Sequence, residues 1–204
     1  MARRTKEDAL ATRDSILDAA ELLFAQQGVS RTSLQHIATA AGVTRGAIYW
    51  HFDDKSALFN AMIERAKLPL EAALQELDAN SGADPLLALQ DYAILVFRLT
   101  MEDPKARRAF EIATLKMEYV DEMSAVRERR LLNRGQWMAM AQRLVRQGME
   151  KGSVAATAAP GAVALGTWTL IEGLIRNWLI APDFDLVTLG GEIVGTHLAS
   201  LRTT

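Results

Sequence analysis

The chain has 204 residues, no cysteine, and 25 acidic against 23 basic side chains, for a formal net charge of −2. Half of its residues are hydrophobic and 24% are charged, which excludes a disordered polar array and suits one domain or a small module joined to a larger one. Without cysteine there is no disulfide framework, thiolate catalysis or zinc-finger chemistry, and the composition fits a reducing cytoplasm. The near-neutral balance speaks, at face value, against a basic nucleic-acid binder.

Met1-Ala2-Arg3-Arg4-Thr5-Lys6-Glu7-Asp8 has no apolar stretch behind it, which argues against a secretory signal. No residue set alternates over a full strand length, whereas the helical period recurs throughout, so the fold class is all-α with about nine helices. Breaks fall at Gly28, Gly42, Asp53-Asp54, Ser81 to Pro85, Asp103-Pro104, Gly152-Ser153, Pro160 and Pro182.

The first helix runs from about Thr12 to Gln27, with Ile16, Ala19, Ala20, Leu23 and Phe24 as its apolar stripe and Gly28 as a left-handed cap. A short second helix follows Thr32 or Ser33, with Leu34, Ile37, Ala38 and Ala41 on one face. Gly42 stops it, Val43 enters the core, and Thr44 caps a third helix, Arg45 to Phe52. Two short helices around a glycine turn, with a preceding helix to complete the core, describe a helix-turn-helix module. Any three-helix packing unit shows the same spacing, so spacing leaves DNA binding and plain packing side by side.

The third helix separates them. Ile48 and Phe52, one turn apart, face the core, so Arg45, Gly46, Tyr49 and His51 point partly or wholly outward. Exposed aromatics stabilise a two-turn helix little unless something covers them. Arg45 can reach a guanine edge with two donors, Gly46 lets the backbone approach DNA, and Tyr49 and His51 can bond phosphates. Trp50 either joins that surface or wedges the module against the rest of the protein, and His51 also suits an ordinary surface or capping role. Asp54 caps the fourth helix, which places Lys55 against the helix dipole. A phosphate nearby would reverse that sign, and a solvated lysine is the plainer alternative.

The run Ala41-Gly42-Val43-Thr44-Arg45-Gly46-Ala47-Ile48-Tyr49-Trp50-His51-Phe52, preceded by Thr32-Ser33-Leu34 and Ile37-Ala38 and followed by Lys55-Ser56-Ala57-Leu58-Phe59, closely resembles the TetR family of bacterial transcriptional regulators. Ala2 to Glu7, Lys116-Met117-Glu118-Tyr119-Val120 and Gly173-Leu174-Ile175-Arg176-Asn177-Trp178-Leu179 look like its branch of AcrR- and TtgR-like repressors of multidrug efflux pumps. The resemblance implies an all-helical homodimer on double-stranded operator DNA. Residues 9–69 would be the DNA-binding domain, with the helix-turn-helix at about 33–52, and 70–204 the ligand-binding and dimerisation domain. It implies DNA-facing roles for Thr32, Ser33, Gln35, Arg45, Gly46, Tyr49, His51 and Lys55, to which Trp50 is added from its helix face.

In the C-terminal body, Gly191, Gly195 and Ala199 recur every fourth residue, a small-residue stripe that admits another helix closely, with Leu198 beside it. Together with Leu174 and Trp178 on the preceding helix, this stripe is the expected dimer interface. The charge-free run from Gly152 to Ile171 is broken by glycine and proline, so it reads as a loop and a buried helix and not as a membrane span. By position, Tyr92, Val96, Phe110, Glu111, Thr114, Trp137, Met138, Ala141, Trp168 and Ile171 resemble the drug cavity of efflux repressors, although core packing explains each aromatic equally well. Glu111 and Glu172 stand out because a carboxylate in an apolar body needs a partner, either an arginine such as Arg176 or a cationic ligand. The expected effector is a lipophilic small molecule. The other reading is a regulator of metabolic or stress genes that answers to an acyl or aromatic metabolite. His36, His51 and His197 lie far apart with no metal spacing, phosphate loop or nucleophile elbow, so no enzyme, cofactor or metal is expected.

Charge distribution refines the first impression. Residues 1–67 hold nine basic and eight acidic side chains. Asp14, Asp18 and Glu21 sit on the first helix, while the Arg3-Arg4-Lys6 arm, Arg45, His51 and Lys55 fall where phosphates could lie. Weak non-specific affinity is expected, with recognition resting on a few placed residues counted twice in a dimer.

Overall fold

A computed structural model describes residues 6–80, 84–118 and 121–203, with side chains of 68–80 excepted. Among the described residues there are nine α-helices: α1 (Lys6–Gln27), α2 (Leu34–Ala40), α3 (Arg45–His51), α4 (Lys55–Asn80), α5 (Pro85–Glu102), α6 (Pro104–Glu111), α7 (Ser124–Glu150), α8 (Pro160–Ile180) and α9 (Leu186–Ala199). A π-turn at Ile112–Lys116 and a 3₁₀ turn at Asp121–Met123 lie between α6 and α7. The nearest approach to a β-sheet among the described residues is an isolated antiparallel bridge between Val154 and Arg202.

The helix ends follow local chemistry. Gly28 and Gly42 take φ of 85° and 66°, which lets the chain reverse after α1 and α2 without a Cβ clash. Ser33 caps α2 in a reciprocal box with His36, and Thr44 caps α3 by accepting from the Ala47 amide at 3.2 Å. Asp54 accepts from the Ala57 amide at 2.7 Å at the head of α4. Pro85 and Pro160 open α5 and α8, where a missing N–H costs nothing. α1 starts at Lys6, a turn and a half before Thr12. Glu7 and Asp8 favour that first turn through the helix dipole, and being polar they leave no apolar period to read.

The chain packs as two compact units. The first runs to Ala66 and takes in Arg108–Arg130; the second comprises Lys67–Arg107 and the chain from Leu131 onward. In the first, Ile16, Leu17, Ala20 and Phe24 of α1 meet Ile37, Ala38, Ile48, Phe52, Leu58, Phe59 and Met62. Ile112, Met123 and Val126 complete that core, so a segment some fifty residues downstream is part of the three-helix module. In the second, α5 is the central helix, burying Leu86, Leu89, Tyr92, Val96 and Phe97, and it packs most extensively against α9. No described helix is long and apolar enough to cross a membrane.

Candidate nucleic-acid interface

With Ile48 buried and Phe52 folded under the C-terminus of α3, the opposite face of that helix is presented outward. Arg45, Gly46, Tyr49 and Trp50 are exposed, and Trp50 at 73% is the most exposed large hydrophobic side chain among the described residues. Trp50 therefore does not wedge the module against anything. Its ring meets His51 edge-on at 4.5 Å. Arg45 donates to the Tyr49 hydroxyl at 2.9 Å while its guanidinium lies 5.4 Å from the Tyr49 ring centroid. The pair holds two long side chains in one orientation, which lowers the entropy lost when they engage a ligand. Ser33 and Gln35 are exposed at the start of α2. Gly46 has open space where a side chain would lie, the nearest atom being Thr44 Oγ1 at 3.8 Å.

Two residues of the expected set point inward. Thr32 is 1% exposed, its hydroxyl donating to the Gly28 carbonyl at 2.8 Å and accepting from Gln27 at 3.1 Å. It closes the α1–α2 turn and has no surface to offer DNA. Lys55 is 5% exposed, and its ammonium donates to the carbonyls of Val29 at 3.3 Å and Thr32 at 3.2 Å and pairs with Glu122 at 2.9 Å. The cation at the head of α4 is compensated by two carbonyls and a carboxylate of the protein.

Sequence reasoning overlooked what anchors this surface. Glu21, 4% exposed, bridges Arg65 of α4 at 3.1 Å and Arg108 of α6 at 2.9 Å, and Arg65 also meets Asp18 at 2.7 Å. The acids of α1 thus neutralise arginines of the protein. The signal was present: Glu21 lies one turn from Leu17 and from Phe24, inside the apolar stripe. Glu122 also accepts the Ser56 hydroxyl on its backbone carbonyl at 2.6 Å, and the Val29 amide donates to the Lys116 carbonyl at 3.3 Å. The segment after α6 is therefore tied at three places to the α1–α2 turn and the head of α4.

The expected interface and ligand residues divide in the same way. Gly191 and Gly195 do admit a helix closely, but it is α5 of the same chain: a Cβ at Gly191 would lie 3.3 Å from Ile94, and one at Gly195 3.1 Å from the Gln90 side-chain carbon. Leu198 is 2% exposed, and Trp178 is buried with its indole bonded to the Phe184 carbonyl at 3.0 Å and Arg107 over its ring at 4.6 Å. Gly191, Leu198 and Trp178 are buried within the chain and Gly195 is half-buried against α5, because a small-residue stripe specifies close approach and not which helix approaches. Leu174 is half-buried and Ala199 exposed. Of the ligand candidates, Phe110, Glu111 and Thr114 belong to the first unit. Tyr92, Val96, Trp137, Ala141 and Ile171 are buried in the second, where Met138, Trp168 and Glu172 are half-buried. Among these, the structure brings Tyr92, Trp137 and Trp168 into one ring cluster, with centroids 6.0 and 5.2 Å apart.

Against known proteins, residues 16–62 match the family profile described as bacterial regulatory proteins, tetR family, and residues 84–202 match that of the MAATS-type transcriptional repressor C-terminal region. The chain belongs to the TetR family of bacterial transcriptional regulators. It is 37% identical to the HTH-type transcriptional regulator TtgR of Pseudomonas putida, over 99% of this chain and 97% of that protein. Its fold is similar to that of NalD, the secondary repressor of the MexAB-OprM multidrug efflux pump in Pseudomonas aeruginosa, at 34% identity, a TM-score of 0.88 and coverage of 97% and 98% of the two chains. It is also similar to SmeT in its triclosan complex, at 30% identity, a TM-score of 0.79 and coverage of 95% and 92%. The matched N-terminal profile takes in α2 and α3, the helix-turn-helix of the chain.

Proposed function

We propose that the protein is a ligand-responsive repressor that sits as a homodimer on a palindromic operator, controls a multidrug efflux operon, and is released by a lipophilic small molecule. The observation that carries this reading is the outward face of α3: an arginine held by a tyrosine, a glycine, and a tryptophan 73% exposed on a helix of seven residues. Such a face has a large desolvation gain available only if a partner covers it. The relatives supply the biological setting, NalD as a pump repressor and SmeT as a protein that binds triclosan. Ser33, Gln35, Arg45, Gly46, Tyr49, Trp50 and His51 are the proposed DNA-facing residues. The proposed domain division is a DNA-binding part at 9–69 and a ligand-binding and dimerisation part at 70–204, with Phe110, Glu111 and Thr114 kept as ligand candidates beside those of the second unit.

The dimer face follows from what the second unit leaves exposed. Leu165 of α8 and Leu189 and Ile193 of α9 are 43%, 43% and 36% exposed in the single chain, and these apolar side chains are the proposed isologous contact. A DNA-bound regulator of this kind acts in the cytoplasm.

The test is a gel-shift titration with a fragment of the upstream region of its own gene. Specific retardation at low salt and release by lipophilic drugs are expected; failure to bind that DNA refutes the autoregulatory reading. Arg45→Ala should cost about 1–3 kcal/mol and relax base preference. Equal weakening on operator and random DNA would show that Arg45 reads no base.

A further inference from the structure

The buried stripe of α1 ends, towards its N-terminus, on an arginine. Ile16, Leu17, Ala20 and Phe24 are buried, and Arg13, three residues before Ile16 and four before Leu17, lies on the same face one turn earlier. Arg13 is half-buried, and its guanidinium carbon lies over the Phe52 ring, 5.2 Å from the centroid. An arginine suits such a position because its apolar stem can extend the core while its head stays in water.

The acids of α1 do not neutralise this cation. Asp14, Asp18 and Glu21 all turn to Arg65 of α4, at 3.9, 2.7 and 3.1 Å, and Glu21 also takes Arg108 of α6 at 2.9 Å. Among the described residues no carboxylate and no hydrogen-bond acceptor meets the Arg13 head, whose one partner is the ring. A ring contact fixes a guanidinium in place without consuming any of its five N–H donors. Lys55 differs on this point, since its ammonium is spent on two carbonyls and Glu122.

The position of Arg13 relative to α3 gives those donors a use. Phe52 is the C-cap of α3, its ring 6.2 Å from that of His51, which in turn meets Trp50 at 4.5 Å. Arg13 therefore stands at the C-terminal end of α3 and Arg45 at the other, with about 10 Å of helix between them. A recognition helix reads base edges with its first residues, in a groove about 12 Å wide, so its far end lies beside the sugar–phosphate wall.

We propose that Arg13 is a further DNA-binding residue, which donates to a backbone phosphate of the operator from beside the C-terminus of α3. It supplies a sequence-independent charge contact that Lys55, turned inward, does not. Phe52 sets the direction of the guanidinium, whose planar fork of donors matches two phosphate oxygens. This inference rests on the reading of α3 as the DNA-reading helix, and it adds the cation that holds the backbone next to it.

The experiment is fluorescence anisotropy over a salt series, with a labelled duplex from the upstream region of its own gene and a random duplex of equal length. Arg13→Met keeps an unbranched stem over Phe52 and deletes the charge. For a dimer that loses one phosphate contact in each subunit, the slope of log K against log salt should flatten by about 1.8. Both duplexes should weaken by the same factor, and the deficit should shrink as salt rises. Arg13→Lys, which restores the charge, should restore the slope. Circular dichroism melts fix an assay temperature at which every variant is folded. An unchanged slope in Arg13→Met, a loss confined to the upstream duplex, or a slope in Arg13→Lys as flat as in Arg13→Met overturns the proposal. If the unmodified protein prefers its upstream duplex and Arg13→Met keeps the slope, only the Arg13 assignment falls. An unmodified protein that binds neither duplex overturns the repressor reading and this inference with it.

Discussion

Replacing Lys55 by methionine separates two roles that one residue could hold at the head of α4. The ammonium, 5% exposed, donates to two carbonyls at 3.2 and 3.3 Å and pairs with Glu122 at 2.9 Å. Glu122 is 59% exposed on its side chain and rehydrates when released, so the ion pair adds little by itself. The two buried carbonyls do not rehydrate, and bonds from a charged donor are worth about 1.5–3 kcal/mol each. Against that loss, methionine removes the penalty of burying an ammonium while filling a similar volume. The net expectation is a loss of roughly 1–3 kcal/mol, which lowers the melting temperature by roughly 2–12 °C for a chain of this size. Operator binding measured well below the melting transition, as a function of salt, decides the role. A phosphate contact in each subunit would contribute about 0.9 per phosphate to the slope of log K against log salt, so losing two would flatten it by about 1.8. The structure predicts an unchanged slope and a lowered melting temperature. A flattened slope with an unchanged melting temperature would refute the inward assignment of Lys55.

Glu21→Gln removes the carboxylate shared by Arg65 and Arg108; because Arg65 keeps Asp18 and Arg108 is 43% exposed, a loss of about 1–3 kcal/mol is expected by denaturant titration, below that of a fully buried pair, and no loss would remove Glu21 as an anchor. Ile193→Glu should dissociate the proposed dimer in analytical ultracentrifugation, whereas Gly190→Ala, whose new methyl would lie 2.9 Å from Phe97, should lower stability by about 1–3 kcal/mol and leave the subunit affinity unchanged. The reverse pattern would place the partner on the glycine face. Asp84 caps α5 and binds Arg202 at 2.6 Å. Burial works against ionisation of its carboxyl, but the Arg202 hydrogen bond and charge and the Leu86 and Leu87 amides outweigh it and hold the acid below its ordinary value. A depressed carboxyl contributes stability above its unfolded value of about 3.9 and loses it as pH falls through the folded value. Asp84→Asn should therefore flatten the acid limb of the melting temperature below about pH 4, and an acid limb as steep as before would assign that dependence to other groups.

The sequence by itself determined what chemistry between near neighbours decides. Helix class, the glycine turns at Gly28 and Gly42, the caps Thr44 and Asp54, a cap at Thr32 or Ser33, and the inward Ile48 and Phe52 all rest on residues within two turns of one another. So does the outward face of α3, since fixing Ile48 inward fixes Arg45 and Tyr49 by helical rotation, whereas the exposure of Trp50 was decided by the tertiary structure. Tertiary structure alone decided which of several possible partners each group takes. Lys55 was a cation awaiting compensation, and a carboxylate 67 residues away and two carbonyls of the α1–α2 turn supplied it. Gly191 and Gly195 specified a close helix neighbour, and packing made that neighbour α5 of the same chain. Glu21, grouped in the sequence with Asp14 and Asp18 as an acid of α1, is buried where arginines from α4 and α6 reach it. A periodic pattern records that a face must be covered or a charge paired; it holds no information about which distant segment does so, because that choice is made by the free energy of the whole packed core.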